Sequence, residues 1–119
     1  MKKWLTLLLF IITLTACNNH QTTEQLIAEE QLKANPNANI IMINGNVYRA
    51  VNPIDKGNIK LIENEVGVIE KNYSIGNRFK NGMATTLAIG TKIYKSSNNS
   101  ILIADVNNNF VYYEIIPEG

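Results

Sequence analysis

The most reactive side chains of the chain, one cysteine and one histidine, lie close together near its start. Cys17 and His20 are the single members of their residue types among 119 residues. Metal binding draws on clusters of such side chains, and a serine nucleophile needs a base within hydrogen-bond reach. Residues 40–117 contain no histidine and no Ser-x-x-Lys pattern. We therefore interpret His20, which polar uncharged residues surround, as a solvated linker residue.

Carboxylates are the remaining candidates for acid–base chemistry. Glu63, Glu65 and Glu70 are near one another in sequence, but the first two bracket a predicted turn, and Asp55 and Asp105 stand alone. Two carboxylates hydrolyse a glycosidic bond only when the fold holds them at a set separation. The pattern favours solvated surface carboxylates, and a small hydrolase acting on the cell wall is the alternative. We predict no catalytic residue, no metal and no cofactor.

The first 16 residues have the composition of an export signal. Two lysines precede an apolar run at residues 4–14, and compact residues follow. The 13 residues from Trp4 to Ala16 are too few for a transmembrane helix, which needs about 20. We predict a signal peptide over residues 1–16. An ordinary signal fits less well, because Leu14 stands where its cleavage pattern prefers a small residue.

The end of this segment, Leu14-Thr15-Ala16-Cys17, resembles the lipobox of bacterial lipoproteins. The resemblance implies cleavage after Ala16 and a diacylglyceryl thioether on Cys17. Each buried methylene contributes about 0.8 kcal/mol to membrane attachment, so two acyl chains hold far more firmly than one. We expect the protein on the extracytoplasmic face of the bacterial cell membrane, with the bilayer as a partner through the acylated cysteine.

The processed chain is small and nearly neutral. Removing residues 1–16 leaves 103 residues, which is enough for one domain. Two of the 11 Lys and Arg belong to the leader, so nine remain against ten Asp and Glu. This balance gives no electrostatic reason to expect nucleic acid as a partner, and it supplies no polybasic patch for anionic lipid.

Residues 17–39 read as a tether that contains one short helix. Thr22 or Thr23 can cap a helix over residues 22–34, and Gln25 falls in its first turn. Pro36 then stops it. About three turns are marginal alone in water, so the helix either docks on the following domain or frays as a spacer.

From residue 40 the pattern changes to that of a β domain. The dipeptide Asn44-Gly45 separates two runs of apolar and β-branched residues, which is a strong hairpin signature because both residues tolerate positive φ. Further strands are predicted over residues 59–62, 65–70, 92–95, 100–106 and 110–116, and Gly67 suggests a bulge or a close backbone approach. Residues 40–117 thus predict a mainly β fold, a small antiparallel sandwich or barrel of six or seven short strands.

Aromatic side chains provide the candidate binding surface. Tyrosine suits a binding face because it joins apolar area to a polar tip. Tyr112 and Tyr113 are adjacent on a predicted strand and must face opposite sides, and the longest predicted loop, residues 72–82, carries two more aromatic residues. The candidate surface consists of Tyr73, Phe79, Tyr94, Tyr112 and Tyr113.

Two short motifs resemble a family of small uncharacterised lipoproteins from Bacillus-like Firmicutes. One is Asn44-Gly45-Asn46-Val47-Tyr48, and the other is Gly90-Thr91-Lys92-Ile93-Tyr94 followed by a strand, a polar turn and a tyrosine-bearing strand. The resemblance implies location and fold, and it assigns no activity. We expect a non-catalytic binding or interaction module with an unknown protein or cell-wall partner. A structural accessory lipoprotein is a further alternative.

Overall fold

The computed structural model describes residues 22–117 and shows a mainly β protein with one short α-helix. This confirms the predicted fold class. The elements are α1 (Thr23–Ala34), β1 (Ile40–Ile43), β2 (Asn46–Val51), a 3-10 helix (Pro53–Lys56), β3 (Leu61–Val68), β4 (Lys71–Asn72), β5 (Met83–Ala84), β6 (Lys92–Ser96), β7 (Ile101–Val106) and β8 (Asn109–Ile115).

Helix α1 begins at a complete capping box. The Thr22 side chain accepts a hydrogen bond from the Gln25 backbone N–H, and the Gln25 side chain accepts one from the Thr22 backbone N–H. The helix ends before Asn35, whose extended backbone leads into Pro36. The short helix predicted at this place is therefore confirmed, and its fully buried Ala28 packs on the sheet.

The hairpin β1–β2 forms at the predicted dipeptide. Asn44 and Gly45 have φ angles of 49° and 80°, which match the twist that a two-residue hairpin turn requires. Ile40 pairs with Arg49 and Ile43 with Asn46.

The eight strands form one curled sheet, a half-barrel, in the order β3-β6-β7-β8-β2-β1-β5-β4. Its two edge strands follow each other in the chain, separated by two residues. The backbone N–H of Ile69 donates to Thr91 on one side, and that of Glu70 donates to Gly82 on the other. The chain therefore bridges the two edges of the sheet.

Two details differ from the antiparallel arrangement of six or seven strands. Strands β4 and β5 pair in parallel, because residues 73–82 return across the outer face of the sheet. The two strands predicted within residues 59–70 merge into β3, whose register against β6 shifts twice. At Gly67 a Cβ atom would come within 3.2 Å of the Ile43 side chain, so the bulge and the close approach predicted there are both present.

Both faces of β1 are buried, which explains its unbroken apolar sequence. Ile41 and Ile43 point into the half-barrel and join an inner core. Ile40 and Met42 point outward and join an outer core, which α1 and the segment before β5 cover. The inner core also contains Tyr48, Ile69, Ala84, Leu87, Ile93, Leu102, Ala104 and Tyr113, and the outer core Ala28, Val47, Phe79 and Met83.

Candidate functional site

The predicted lipid-attachment site lies outside the described residues. Leu14, Thr15, Ala16 and Cys17 precede residue 22, as does His20. Lipidation of Cys17 therefore stays a prediction. Within residues 22–117, no helix has the length and apolar character needed to cross a membrane.

Two residues of the predicted aromatic surface are core residues, which corrects that assignment. Phe79 is fully buried in the outer core, and Tyr113 is fully buried in the inner core. The Tyr113 hydroxyl donates a hydrogen bond of 2.7 Å to the Asn39 side-chain oxygen. Alternation along a strand places Tyr113 and Tyr112 on opposite faces, but only packing selects which of them is buried.

The other three predicted aromatic residues are half-buried and lie in two places. Tyr94 and Tyr112 are both directly opposite Ile103, on either side of it, so the three side chains share the outer face of the sheet. Tyr73 lies elsewhere, just after β4, where its ring stacks on that of Phe79 at 4.9 Å. Binding by any of these three tyrosines stays a prediction.

Tyr73 forms one wall of a groove of about 470 Å³ beside α1. The second half of α1 and the turn that follows it form the opposite wall, where Leu32 and Pro36 provide apolar surface and Glu29 and Lys33 provide charge. The groove, as named here, consists of Glu29, Leu32, Lys33, Pro36, Tyr73, Ile75 and Thr85.

The groove is built on rigid contacts at its base. The Thr85 hydroxyl donates to the Ala38 carbonyl at 2.7 Å and accepts from the Ile40 backbone N–H at 3.0 Å. These bonds tie the start of β1 to the residue after β5. The stack of Tyr73 on the buried Phe79 restrains the facing wall. The groove thus combines an apolar lining with a few polar groups, which is the composition of small-molecule and peptide sites.

Carboxylates are spread over the structure. Glu29 is the carboxylate that lines the groove, and Glu70 is the one that lines a cavity of about 200 Å³ near Gly82. Asp105 accepts a hydrogen bond from the Asn108 backbone. Among residues 22–117, no group of three or more His, Cys, Asp and Glu is arranged to hold a metal ion.

A smaller cavity of about 190 Å³ lies between the β1–β2 and β6–β7 turns. Asn44, Asn46, Asn98 and Asn99 contribute amide groups to it. Two of these amides form hydrogen bonds within the protein: the Asn44 side-chain N–H donates to the Val66 carbonyl in β3, and the Asn98 side-chain oxygen accepts from the Ser100 backbone N–H. These hydrogen bonds account for Asn44 and Asn98 without a ligand.

Burial shifts the acidity of two tyrosines. Burial raises the pKa of Tyr113 to about 12, although its hydrogen bond with Asn39 acts in the opposite direction. Burial also raises the pKa of Tyr48, against a smaller lowering by Asn46. A tyrosine hydroxyl is already protonated at neutral pH, and burial extends this range to higher pH, which suits both side chains to structural hydrogen bonding.

No protein-family model, curated protein or solved structure matches the chain. Sequence reasoning identified Tyr73 but missed the other six residues of the groove. An isolated apolar Ile75 in a polar loop and the partial apolar stripe of the helix, with Leu32, were the available signals.

Proposed function

We propose that this protein is a membrane-anchored extracytoplasmic lipoprotein that acts as a non-catalytic binding module. Residues 1–17 support the anchor, because they combine a basic start, a short apolar run and a lipobox-like end. The likeness of the two β-domain motifs to small lipoproteins of Bacillus-like bacteria agrees with this location.

The groove is the observation that carries the binding function. With a volume of about 470 Å³, it falls within the range of about 300–1,000 Å³ for sites that bind small molecules. Its walls, α1 and the segment around Tyr73, are both held to the outer core. A partner that places an apolar group on Leu32 and Pro36 can direct a polar or negatively charged atom to Lys33, which is exposed at the rim.

The hydrolase alternative has weaker support from the geometry. Glycoside hydrolysis by paired carboxylates needs two carboxyl groups about 5–9.5 Å apart across the substrate. The groove presents the Glu29 carboxylate together with the Lys33 amine. This arrangement suits charge-assisted recognition better than general acid–base catalysis.

Capture of partners by the lipidated protein tests the proposal. The protein is purified in detergent, immobilised, and exposed to the detergent-solubilised cell envelope of its own source. The double variant Lys33→Glu/Pro36→Glu places two carboxylates on exposed positions of the groove wall. We expect it to lose at least tenfold of the captured partner, because both apolar contact and the positive charge are removed.

The matched control is Lys60→Glu/Ile62→Glu, which makes the same type of change on exposed residues that do not line the groove. This control should capture the partner as the wild type does. Equal capture by both double variants would remove the groove as the binding site. Release of sugar fragments from envelope polymers by the wild-type protein would favour the hydrolase alternative instead.

A further inference from the structure

Besides Leu26 and Ile62, four large apolar side chains among residues 22–117 are exposed, and each lies close to a strand end. Ile75 is 94% exposed, Ile54 82%, Ile89 63% and Phe110 46%. Such side chains are ordinary when they are scattered singly over a surface, but several at one place indicate a contact surface.

The sheet topology brings these four residues to one end of the half-barrel. Strands β2, β4, β5 and β7 all run in the same direction. Both β2 and β5 pair antiparallel to β1, and both β2 and β7 pair antiparallel to β8. Strand β4 pairs parallel to β5 and therefore shares its direction. Ile54 and Ile75 each follow one of these strands by three residues. Ile89 lies in the connection that leaves β5, and Phe110 follows the turn after β7. We call Ile54, Ile75, Ile89 and Phe110 the apolar end.

The groove adjoins the apolar end. Ile75 lines the groove and belongs to the apolar end as well. Pro36, on the opposite wall, lies in the connection between α1 and the start of β1. Because β1 runs opposite to β2, this connection lies at the end where β2 finishes.

We propose that the apolar end rests on the lipid bilayer, with Ile75 entering the acyl region at its interface. This inference depends on the proposed lipid anchor at Cys17. A chain of five residue steps from Cys17 to Thr22 spans at most about 18 Å, so the anchor keeps the domain within that distance of the headgroups.

The tether makes the bilayer the occupant that this surface meets most often. Linking a weak contact surface to an anchored group turns a second binding event into an intramolecular one, with a high effective concentration. The side chains of the apolar end suit such contact, because they can enter hydrocarbon while the backbone that carries them stays among the hydrated headgroups. The groove would then open beside the membrane surface.

Depth-dependent fluorescence quenching tests this orientation. The lipidated protein is reconstituted into vesicles of phosphatidylcholine and phosphatidylglycerol. The variant Ile75→Cys is labelled with an environment-sensitive dye, and a fraction of the lipids carries a spin label at a shallow acyl carbon. Ile62→Cys is the matched control, because Ile62 is an isoleucine with 45% exposure at the start of β3, which lies at the opposite end of the sheet. We expect at least a twofold loss of fluorescence at position 75 and no change at position 62.

The unmodified protein separates a failure of this inference from a failure of the anchor. If Cys17 carries the thioether, the wild-type protein takes up no maleimide dye, and labelling of the wild type would refute the anchor. Without such labelling, equal quenching at both positions, or none at position 75 on vesicle-bound protein, would overturn the orientation. Shielding of the dye at position 75 only after envelope proteins are added would also overturn it, because the occupant would then be a protein.

Discussion

Replacing Tyr113 with phenylalanine should weaken the fold through one buried hydrogen bond. The Tyr113 ring is fully buried in the inner core, and its hydroxyl donates to the Asn39 side chain at 2.7 Å. Tyr113→Phe keeps the ring and removes the donor, which leaves the half-buried Asn39 oxygen without this bond. Losing one partner of such a bond costs about 1–2 kcal/mol. We expect the free energy of unfolding at neutral pH to fall by this amount.

The same hydroxyl makes stability depend on pH in the alkaline range. Folding raises the pKa of Tyr113 from 10.0 to about 12, so the unfolded chain loses this proton at a lower pH than the folded protein does. The stability that Tyr113 contributes is therefore complete below pH 10 and is lost as the pH rises through 12. Two pKa units correspond to about 3 kcal/mol. Tyr113→Phe should remove this part of the alkaline loss.

Urea unfolding followed by circular dichroism, at pH 7 and at intervals between pH 9 and 12, measures both effects. Tyr112→Phe is the matched control, because Tyr112 is the neighbouring residue on β8 and is only half-buried. We expect Tyr112→Phe to change the free energy of unfolding by less than about 0.5 kcal/mol at pH 7. Equal losses in the two variants, or an alkaline decline that Tyr113→Phe leaves unaltered, would refute the reasoning.

Three further predictions address the anchor, the outer core and the helix. Cys17→Ala should leave unprocessed precursor that takes up no radiolabelled fatty acid, while His20→Ala matures normally; normal maturation of the cysteine variant would contradict the anchor. Phe79→Ala should lower the free energy of unfolding in a urea titration by about 3–5 kcal/mol, because the ring is fully buried. Phe110→Ala, at an exposed position, is the control and should lower it by less than about 1 kcal/mol. Thr22→Ala should lower the free energy of unfolding by about 1 kcal/mol and reduce the helical circular-dichroism signal. Thr22→Ser should leave both unchanged, because the cap needs only the hydroxyl.

Local signals in the chain were sufficient for the elements that local chemistry controls. The capping box at Thr22 and Gln25 starts the helix with hydrogen bonds between residues three apart. The Asn44-Gly45 turn depends on the φ angles of two adjacent residues. Such features need no distant partner, so the helix, the first hairpin and the mainly β class were predictable.

Features that depend on distant neighbours were predicted incompletely. The alternation at Tyr112 and Tyr113 required opposite faces, but which face meets the core depends on the strands that pair on either side. Phe79 looked like a loop residue, yet it is buried because residues 73–82 return across the outer face and α1 covers the same region. The parallel pairing of β4 with β5 arises from that return.

Composition and order along the chain thus determined the short capped helix and the strand-rich domain, and the export leader stays a prediction from the same kind of pattern. Folding alone decided that β1 is covered on both faces, that a groove opens between α1 and Tyr73, and that Ile54, Ile75, Ile89 and Phe110 lie at one end. The physical reason is the separation along the chain over which each interaction acts. Capping and turns act between residues a few positions apart, whereas burial and grooves arise where segments distant in the chain pack together.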